Sequence, residues 1–127
     1  MKIPRAIARF IYRLTTLGLS KGPHVTRYYM YRHLSKYSVP RPQELKALSI
    51  SNSGALGKLL GFADSQMVKV CYPDCNVLNL PFKDGEFDAV VSDLVLEHVK
   101  GCPQQAIDET FRVLMPAGVV LHTTNFI

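Results

Sequence analysis

The fold of this chain is decided by one stretch, Leu80-Pro81-Phe82-Lys83-Asp84-Gly85-Glu86-Phe87-Asp88-Ala89-Val90-Val91-Ser92-Asp93-Leu94-Val95-Leu96-Glu97-His98-Val99. Residues 83–86 predict a polar turn in which Gly85 can take a positive φ. Residues 87–92 predict an apolar strand with almost no alternation, as expected when helices cover both faces of a sheet. Asp93 follows where that strand should end, and residues 94–99 begin the next helix. This order is typical of the carboxyl edge of a parallel sheet, where open α/β folds bind ligands.

From Lys46 onward the sequence alternates between strand and helix patterns, as in βαβ units. Short apolar runs mark the strands, and apolar residues spaced at i, i+4 and i+7 mark the helices. The fold class is therefore α/β with a mostly parallel sheet. The predicted elements are strands at 47–50, 67–72 and 119–123, helices at 55–62 and from Pro103, a short extended piece at 76–80, and turns at 51–54 and 116–118.

The 127 residues are enough for one domain, but their charge is divided sharply along the chain. Residues 1–46 hold ten of the 15 Lys and Arg residues and a single acid, Glu44, whereas all other acids follow later. We therefore predict a basic, helical N-terminal arm at 1–42 and a core at 43–127. The boundary is Val39-Pro40-Arg41-Pro42, a connector stiffened by proline.

The arm contains two patterned segments. Residues 4–19 place apolar side chains at helical spacing, with Arg5, Arg9 and Arg13 on another face. Three interpretations stay open for this helix: packing on the core, contact with a membrane surface, and organellar targeting. Residues 26–37 interleave tyrosines with basic side chains, which we interpret as a helix with half-buried tyrosines; nucleic-acid binding is not expected.

Three cysteines, Cys71, Cys75 and Cys102, leave an odd number, and no secretory signal accompanies them. The Cys71-x-x-x-Cys75 spacing has no histidine nearby and is not typical of a zinc site. We expect reduced thiols, no metal, and an intracellular location, with the cytoplasm favoured. No apolar stretch approaches the ~18 residues of a membrane-spanning helix.

Four motifs follow one another with a spacing that is specific only when they are taken together. Through them the chain resembles the class I S-adenosylmethionine-dependent methyltransferases, in particular those called type 11. The resemblance implies a Rossmann-like fold, S-adenosylmethionine as the cofactor, and methyl transfer to a small-molecule acceptor. The motifs are Asn-Val-Leu-Asn-Leu-Pro-Phe at 76–82, Phe-Asp-Ala-Val-Val-Ser at 87–92, Val-Leu-Glu-His-Val at 95–99 and Glu-Thr-Phe-Arg-Val-Leu-Met-Pro-Ala-Gly at 109–118.

The resemblance also implies a cofactor loop after the first strand. Family members carry an acid in that strand, followed by three glycines at alternate positions. Here the acid position holds Ser49, the glycine positions hold Ser51, Ser53 and Ala55, and Gly54 lies out of register. This altered loop leaves two functions open, an active methyltransferase and a catalytically inactive, methyltransferase-like interaction module. A dinucleotide oxidoreductase explains fewer of the motifs.

Five further residues are implied to contact the cofactor. Asp74 would bind the ribose hydroxyls, unless it only forms a turn. Asn76 would accept a hydrogen bond from the adenine amino group, and Val77 would flank the adenine ring. Ser92 and Asp93 would lie beneath the methionine portion, and Asp93 is also a suitable N-cap for the next segment.

The sequence contains no convincing Ser-His-Asp or metal-ligand constellation. Methyl transfer does not require one, because alignment of the acceptor with the methyl group supplies most of the catalysis. His98 is either a base toward the acceptor or a structural histidine. Because residue 127 follows closely on the last predicted strand, we expect a partial or truncated core whose sheet is incomplete at the C-terminal edge. Such an open edge invites pairing, so a homodimer is a further expectation.

Overall fold

The computed structural model describes residues 25–124, with side chains described from Tyr28 onward. The amphipathic segment predicted at 4–19 lies outside these residues. The contacts between residues divide the chain into two compact units, and the division falls between Tyr37 and Ser38. The boundary between arm and core that the sequence places after residue 42 stays a prediction. In the first unit, helix α1 (Val25–Leu34) and a 3₁₀ turn (Ser35–Tyr37) agree with the helix predicted at 26–37.

The second unit contains a four-stranded sheet in the order β2-β1-β3-β4. All neighbouring strands are parallel, which confirms the predicted α/β class. β1 and β3 are almost completely buried because they occupy the centre of the sheet. The strands are β1 (Ala47–Ile50), β2 (Met67–Val70), β3 (Phe87–Asp93) and β4 (Leu114–Thr123).

Two helices accompany the sheet. α2 (Gly54–Leu59) packs against β1, β2 and β3, and α3 (Pro103–Val113) closes the main core with Ala106 and Val113. Gly57 allows α2 to approach β2, since a Cβ atom at this position would collide with the sulfur of Met67. Two further 3₁₀ turns (Asp64–Gln66 and Leu96–His98) lie in the connections.

Three local predictions were wrong. Residues 76–80 form a turn rather than an extended piece, because Asn76 Oδ1 accepts a hydrogen bond from Leu78 N at 2.9 Å. Residues 94–99 contain only a 3₁₀ turn instead of the start of a helix. Residues 116–118 do not precede the last strand but bulge within β4, since Phe87 pairs with Leu114 and Ala89 already pairs with Val119.

Arg112 on α3 holds the turn before β3 in place. Its guanidinium donates to Leu80 O at 2.9 Å and to Phe82 O at 2.8 Å. It also pairs with Glu109 and Asp84, both at 2.8 Å. The Arg112 guanidinium, together with the Leu80 N–H, holds the pKa of Glu109 below its usual range. The motif residues at 80–86 and 109–112 are therefore one connected scaffold.

Candidate functional site

A cavity of about 490 Å³ opens at the carboxyl ends of β1, β2 and β3. Its volume falls within the ~300–1,000 Å³ that is usual for small-molecule sites. Three segments supply its walls: the end of β1, the turn after β2, and the chain that leaves β3. The lining residues are Ile50, Ser51, Tyr72, Cys75, Asn76, Val77, Leu78, Asp93, Leu94, Val95, His98, Val99 and Lys100.

Asp93 is the carboxylate of this cavity, and two neighbouring side chains hold it in position. Its backbone N–H donates to Ser53 Oγ at 2.7 Å, and its Oδ1 accepts a hydrogen bond from Thr123 Oγ1 at 2.6 Å. Thr123 also accepts the Leu94 N–H through both its hydroxyl (3.1 Å) and its carbonyl (3.0 Å). The following 3₁₀ turn begins after Val95 without a side-chain cap, so Asp93 is not its N-cap.

The backbone leaves β3 in an unusual conformation. Leu94 has a φ of 56°, in the left-handed region that favours glycine. Leucine in this region is strained, and its two hydrogen bonds to Thr123 hold it there. Leu94 lines the cavity, and strained backbone conformations of this kind cluster at functional sites.

The loop after β1 takes a left-handed course without glycine. Ser51 and Asn52 have φ values of 52° and 57°. Ser51 N donates to Val70 O at 2.8 Å, and the buried Ser53 hydroxyl donates to Ile50 O. These bonds fix the loop between β2 and β3, although two non-glycine residues in this region cost about 1–2 kcal/mol each. Of the predicted loop residues, Ser51 lines the cavity, Ser53 lies buried behind it, and Gly54 begins α2.

Ser49 differs from the other predicted loop residues. It is buried in β1, on the face opposite to Leu48 and Ile50, and it does not line the cavity. Among residues 25–124 its hydroxyl finds no hydrogen-bond partner. A buried polar group without a hydrogen-bond partner is destabilising, so the Ser49 hydroxyl lowers the stability of β1.

The predicted adenine and ribose contacts lie on the turn after β2. Asn76 and Val77 line the cavity, and Val77 packs into the core. The side-chain oxygen of Asn76 already accepts the Leu78 N–H, although its second lone pair stays available to a ligand. Asp74 lies exposed on the same turn but outside the cavity lining. The structure thus brings Ser51, Asn76, Val77 and Asp93 together around the cavity.

Ser92 belongs to a buried polar chain that the sequence did not reveal. Its hydroxyl lies 2.5 Å from Nδ1 of His122, and Nε2 of the same ring lies 3.0 Å from Thr110 Oγ1. Because Thr110 gives its proton to Ile107 O at 2.7 Å, Nε2 donates and Nδ1 accepts. Burial lowers the pKa of His122, which is therefore neutral. The β3–β4 register, which pairs Ser92 with His122, was the missing signal.

The lining also contains residues that sequence analysis did not place at the ligand. Tyr72, Lys100 and Cys75 join His98, which was singled out as a base or a structural residue, along the outer wall. Within residues 25–124 no group of three or more His, Cys, Asp or Glu residues could hold a metal ion. Over the same residues, no helix is long and apolar enough to cross a membrane.

A half-apolar cavity with an oriented carboxylate, at the carboxyl edge of a parallel sheet, defines a ligand-binding α/β domain. A family model described as a methyltransferase domain matches residues 44–122, more than half of the chain. The chain therefore belongs to the type 11 methyltransferase family, as the sequence motifs predicted. S-adenosylmethionine is the cofactor of this family, in agreement with the sequence prediction.

Solved structures share the fold at low sequence identity. One contains the Haloferax volcanii Trm112 methyltransferase activator in complex with a protein described as a methyltransferase (TM-score 0.59, 14% identity, 95% of this chain and 58% of that chain). A Bacillus halodurans C-125 protein described as a methyltransferase has a TM-score of 0.51 at 16% identity, covering 72% and 49% of the two chains.

A third similar structure is the [4+2]-cyclase SpnF, with a TM-score of 0.51 at 16% identity over 73% of this chain and 43% of that chain. The fold is therefore shared with a protein that is named for an activity other than methyl transfer. In all three cases, this chain spans less than two thirds of the length of the matched structure. A comparison with curated protein sequences found no significant match.

Proposed function

We propose that this chain binds S-adenosylmethionine in the cavity beside Asp93 and takes part in methyl transfer to a small-molecule acceptor. The observation that supports this most strongly is the hydrogen-bonded Asp93 carboxylate in a cavity of suitable volume, within the matched family domain. When bound, S-adenosylmethionine supplies a methyl group that its sulfonium makes electrophilic. The polar groups of the lining suit this molecule, because the Asp93 carboxylate and the Asn76 amide adjoin apolar side chains.

Each part of the wall has a proposed task. Asp93, oriented by Thr123 and Ser53, accepts hydrogen bonds from the polar end of the cofactor. Val77 and Leu78 supply apolar surface for the adenine ring, with Asn76 beside them. Asp74 and Ser92 stay predicted contacts outside the cavity lining, as do Ser49, Ser53 and Gly54. No side chain need act as a nucleophile, because the site works by holding two reactants in line.

Isothermal titration with S-adenosylhomocysteine tests this proposal directly. We expect the chain to bind, and Asp93→Asn to weaken binding about tenfold, since a charged hydrogen-bond acceptor is lost. The matched control is Asp108→Asn, which removes an exposed carboxylate on α3 that bonds only to Gln104 among the bonds found in residues 25–124. Absence of heat at millimolar ligand, or equal losses in both variants, would contradict the proposal.

A second function is favoured by the loop after β1. Because Ser51 and Asn52 occupy left-handed conformations and Ser49 replaces an acid, the chain is alternatively a methyltransferase-like interaction module without activity. In such a module, Ser51→Gly would restore or strengthen binding of S-adenosylhomocysteine by relaxing the loop at the cavity wall. Binding without turnover is compatible with both functions, whereas methyl transfer by the unaltered chain argues against this alternative.

The remaining parts of the proposal are the methyl acceptor, the oligomeric state, membrane contact and the cellular location. A small-molecule acceptor agrees with the size of the cavity, and assays with radiolabelled S-adenosylmethionine and small-molecule pools would identify it. A homodimer, contact of the N-terminal arm with membrane surfaces, and a cytoplasmic or organellar location stay predictions. Light scattering and vesicle binding with anionic lipids test the first two.

A further inference from the structure

Two thiols lie at the outer wall of the cavity, on the turn that joins β2 to the predicted adenine contacts. Cys71 is exposed directly after β2, and Cys75 is partly buried, lines the cavity and packs against the main core. Both are free thiols, as is the exposed Cys102 at the start of α3. Neither Cys71 nor Cys75 has a task in the proposed methyl transfer.

The backbone brings these two cysteines close together. Cys75 N donates to Cys71 O at 2.9 Å, which closes a single turn from residue i to residue i+4. A turn of this kind leaves the two Cα atoms within roughly the 4.4–6.8 Å that a disulfide spans. Burial raises the pKa of the Cys75 thiol, and the charge of Cys71 raises it further, which is consistent with their proximity.

We propose that Cys71 and Cys75 are a redox-active thiol pair, which hydroperoxides convert to a disulfide that changes ligand binding in the adjoining cavity. The exposed Cys71 thiolate attacks the peroxide O–O bond, giving a sulfenic acid and releasing water or an alcohol. The Cys75 sulfur then attacks the sulfenic sulfur, and its hydroxyl leaves as a second water. Two thiols are oxidised, one peroxide is reduced, and a small dithiol reverses the reaction.

The consequence for the cavity follows from the position of the turn. Tyr72 lies between the two cysteines in the sequence, and Asn76 directly follows Cys75. Both residues line the cavity together with Val77. A disulfide would bind the Cys75 side chain, which itself lines the cavity, to Cys71 and so change the wall that faces the cofactor. This part of the inference rests on the proposed function, whereas formation of the disulfide does not.

The experiment treats the reduced full chain with hydrogen peroxide, blocks free thiols with N-ethylmaleimide, and measures intact mass. We expect a loss of about 2 Da and blockage of only one thiol, with Cys71 and Cys75 linked after cleavage between them at Asp74 by an Asp-specific protease. Cys102→Ser is the matched control and should form the same bridge. Cys71→Ser, at an exposed position, should fold normally and form none. A bridge through Cys102, lasting sulfinic acid at Cys71, or no mass loss would overturn the proposal.

A second measurement separates this inference from the proposed function. Titration with S-adenosylhomocysteine should show about tenfold different affinity for the reduced and oxidised chains, and no such difference for Cys71→Ser. Equal affinity in both states would overturn the effect on binding. A chain that forms the disulfide but binds no S-adenosylhomocysteine in either state would contradict the proposed function and the effect on binding, while the thiol pair itself would stand.

Discussion

Two segments of the core, the turn and strand at 80–93 and the loop at 51–53, reach a fixed shape by different routes. The turn and strand at 80–93 carry the motif residues quoted above. Arg112 and Glu109 hold the turn through three hydrogen bonds to its backbone and one ion pair to Asp84. The loop at 51–53 contains no glycine, yet Ser51 and Asn52 have a left-handed backbone. The loop is held there because Ser51 N donates to Val70 O, and Ser53 Oγ donates to Ile50 O and accepts from Asp93 N.

This difference teaches that the course of a ligand-binding loop does not depend on glycine alone. Glycine makes a left-handed conformation inexpensive, whereas hydrogen bonds to fixed neighbours make it necessary. Glycine alone would leave such a loop free to move, whereas the hydrogen-bonded serines hold it in one strained conformation. The following changes test whether the two segments differ in this way.

The largest effect is expected from Arg112→Met. It removes donors from two backbone carbonyls and the partner of Glu109, so the turn at 80–86 loses its attachment to α3. We expect the melting temperature to fall by about 5–10 °C in differential scanning fluorimetry. Lys83→Met, an exposed cation in the same turn, should change it little. Equal effects would show that general charge, not these bonds, stabilises the turn.

Next in size is Ser53→Ala, compared with Ser49→Ala. Both hydroxyls are buried, but Ser53 joins Ile50 O to Asp93 N, whereas Ser49 has no partner within residues 25–124. We expect urea unfolding to show a loss of about 2 kcal/mol for Ser53→Ala and a gain of about 1 kcal/mol for Ser49→Ala. If both variants lose stability, Ser49 has a bonding role that the structure does not show.

The third prediction concerns pH. Because burial holds the pKa of His122 below its usual 6.5, the unfolded chain takes up a proton more readily than the folded one. Stability is therefore complete above about pH 6.5 and falls as the pH drops through the interval between the two pKa values. Melting temperatures between pH 7.5 and 5 should decline, and His122→Gln should flatten the decline. The exposed His33, replaced by Gln, should leave it unchanged.

The smallest effect is expected from relaxing the strained loop. Ser51→Gly should raise the free energy of unfolding by up to about 1 kcal/mol, because relief of the left-handed strain exceeds the added entropy of the unfolded chain. Asn52→Gly should gain less, since asparagine tolerates this conformation better. Ser51→Ala keeps the Cβ atom and should gain nothing in the same urea titration. A gain in that control would contradict the strain.

Sequence analysis predicted the sheet because its strands carry local signals. The apolar run at 87–92 and the short strands at 47–50 and 67–70 are visible without tertiary context. It failed where distant contacts decide. Leu94 turns away from a helix because Thr123, 29 residues later, accepts its N–H. The bulge in β4 depends on the pairing with Phe87 and Ala89, which periodicity cannot reveal.

The position of the candidate site could be predicted from the sequence, but the hydrogen bonds that orient its residues could not. Asp93, Asn76, Val77 and Ser51 line the cavity, and the end of a buried strand was the signal for Asp93. The roles of Ser53 and Thr123 could not be recognised from the sequence, because both residues are far from Asp93 along the chain and contact it only in the folded structure. Whether these four cavity-lining residues contact a cofactor stays a prediction, as it does for the other predicted contacts, Ser49, Ser53, Gly54, Asp74 and Ser92.

The hydrogen bond from Thr123 to Asp93 also sets an order of events during synthesis. The loop after β1 and the strand β3 are complete once Asp93 has been made, but the carboxylate gains its orienting partner only 30 residues later. A parallel sheet with such distant contacts folds slowly, because the chain must close long loops before these contacts form. A nascent chain that stops before residue 114 would thus have a sheet without its outer strand, and the unpaired edge of β3 would be open to chaperones and to aggregation.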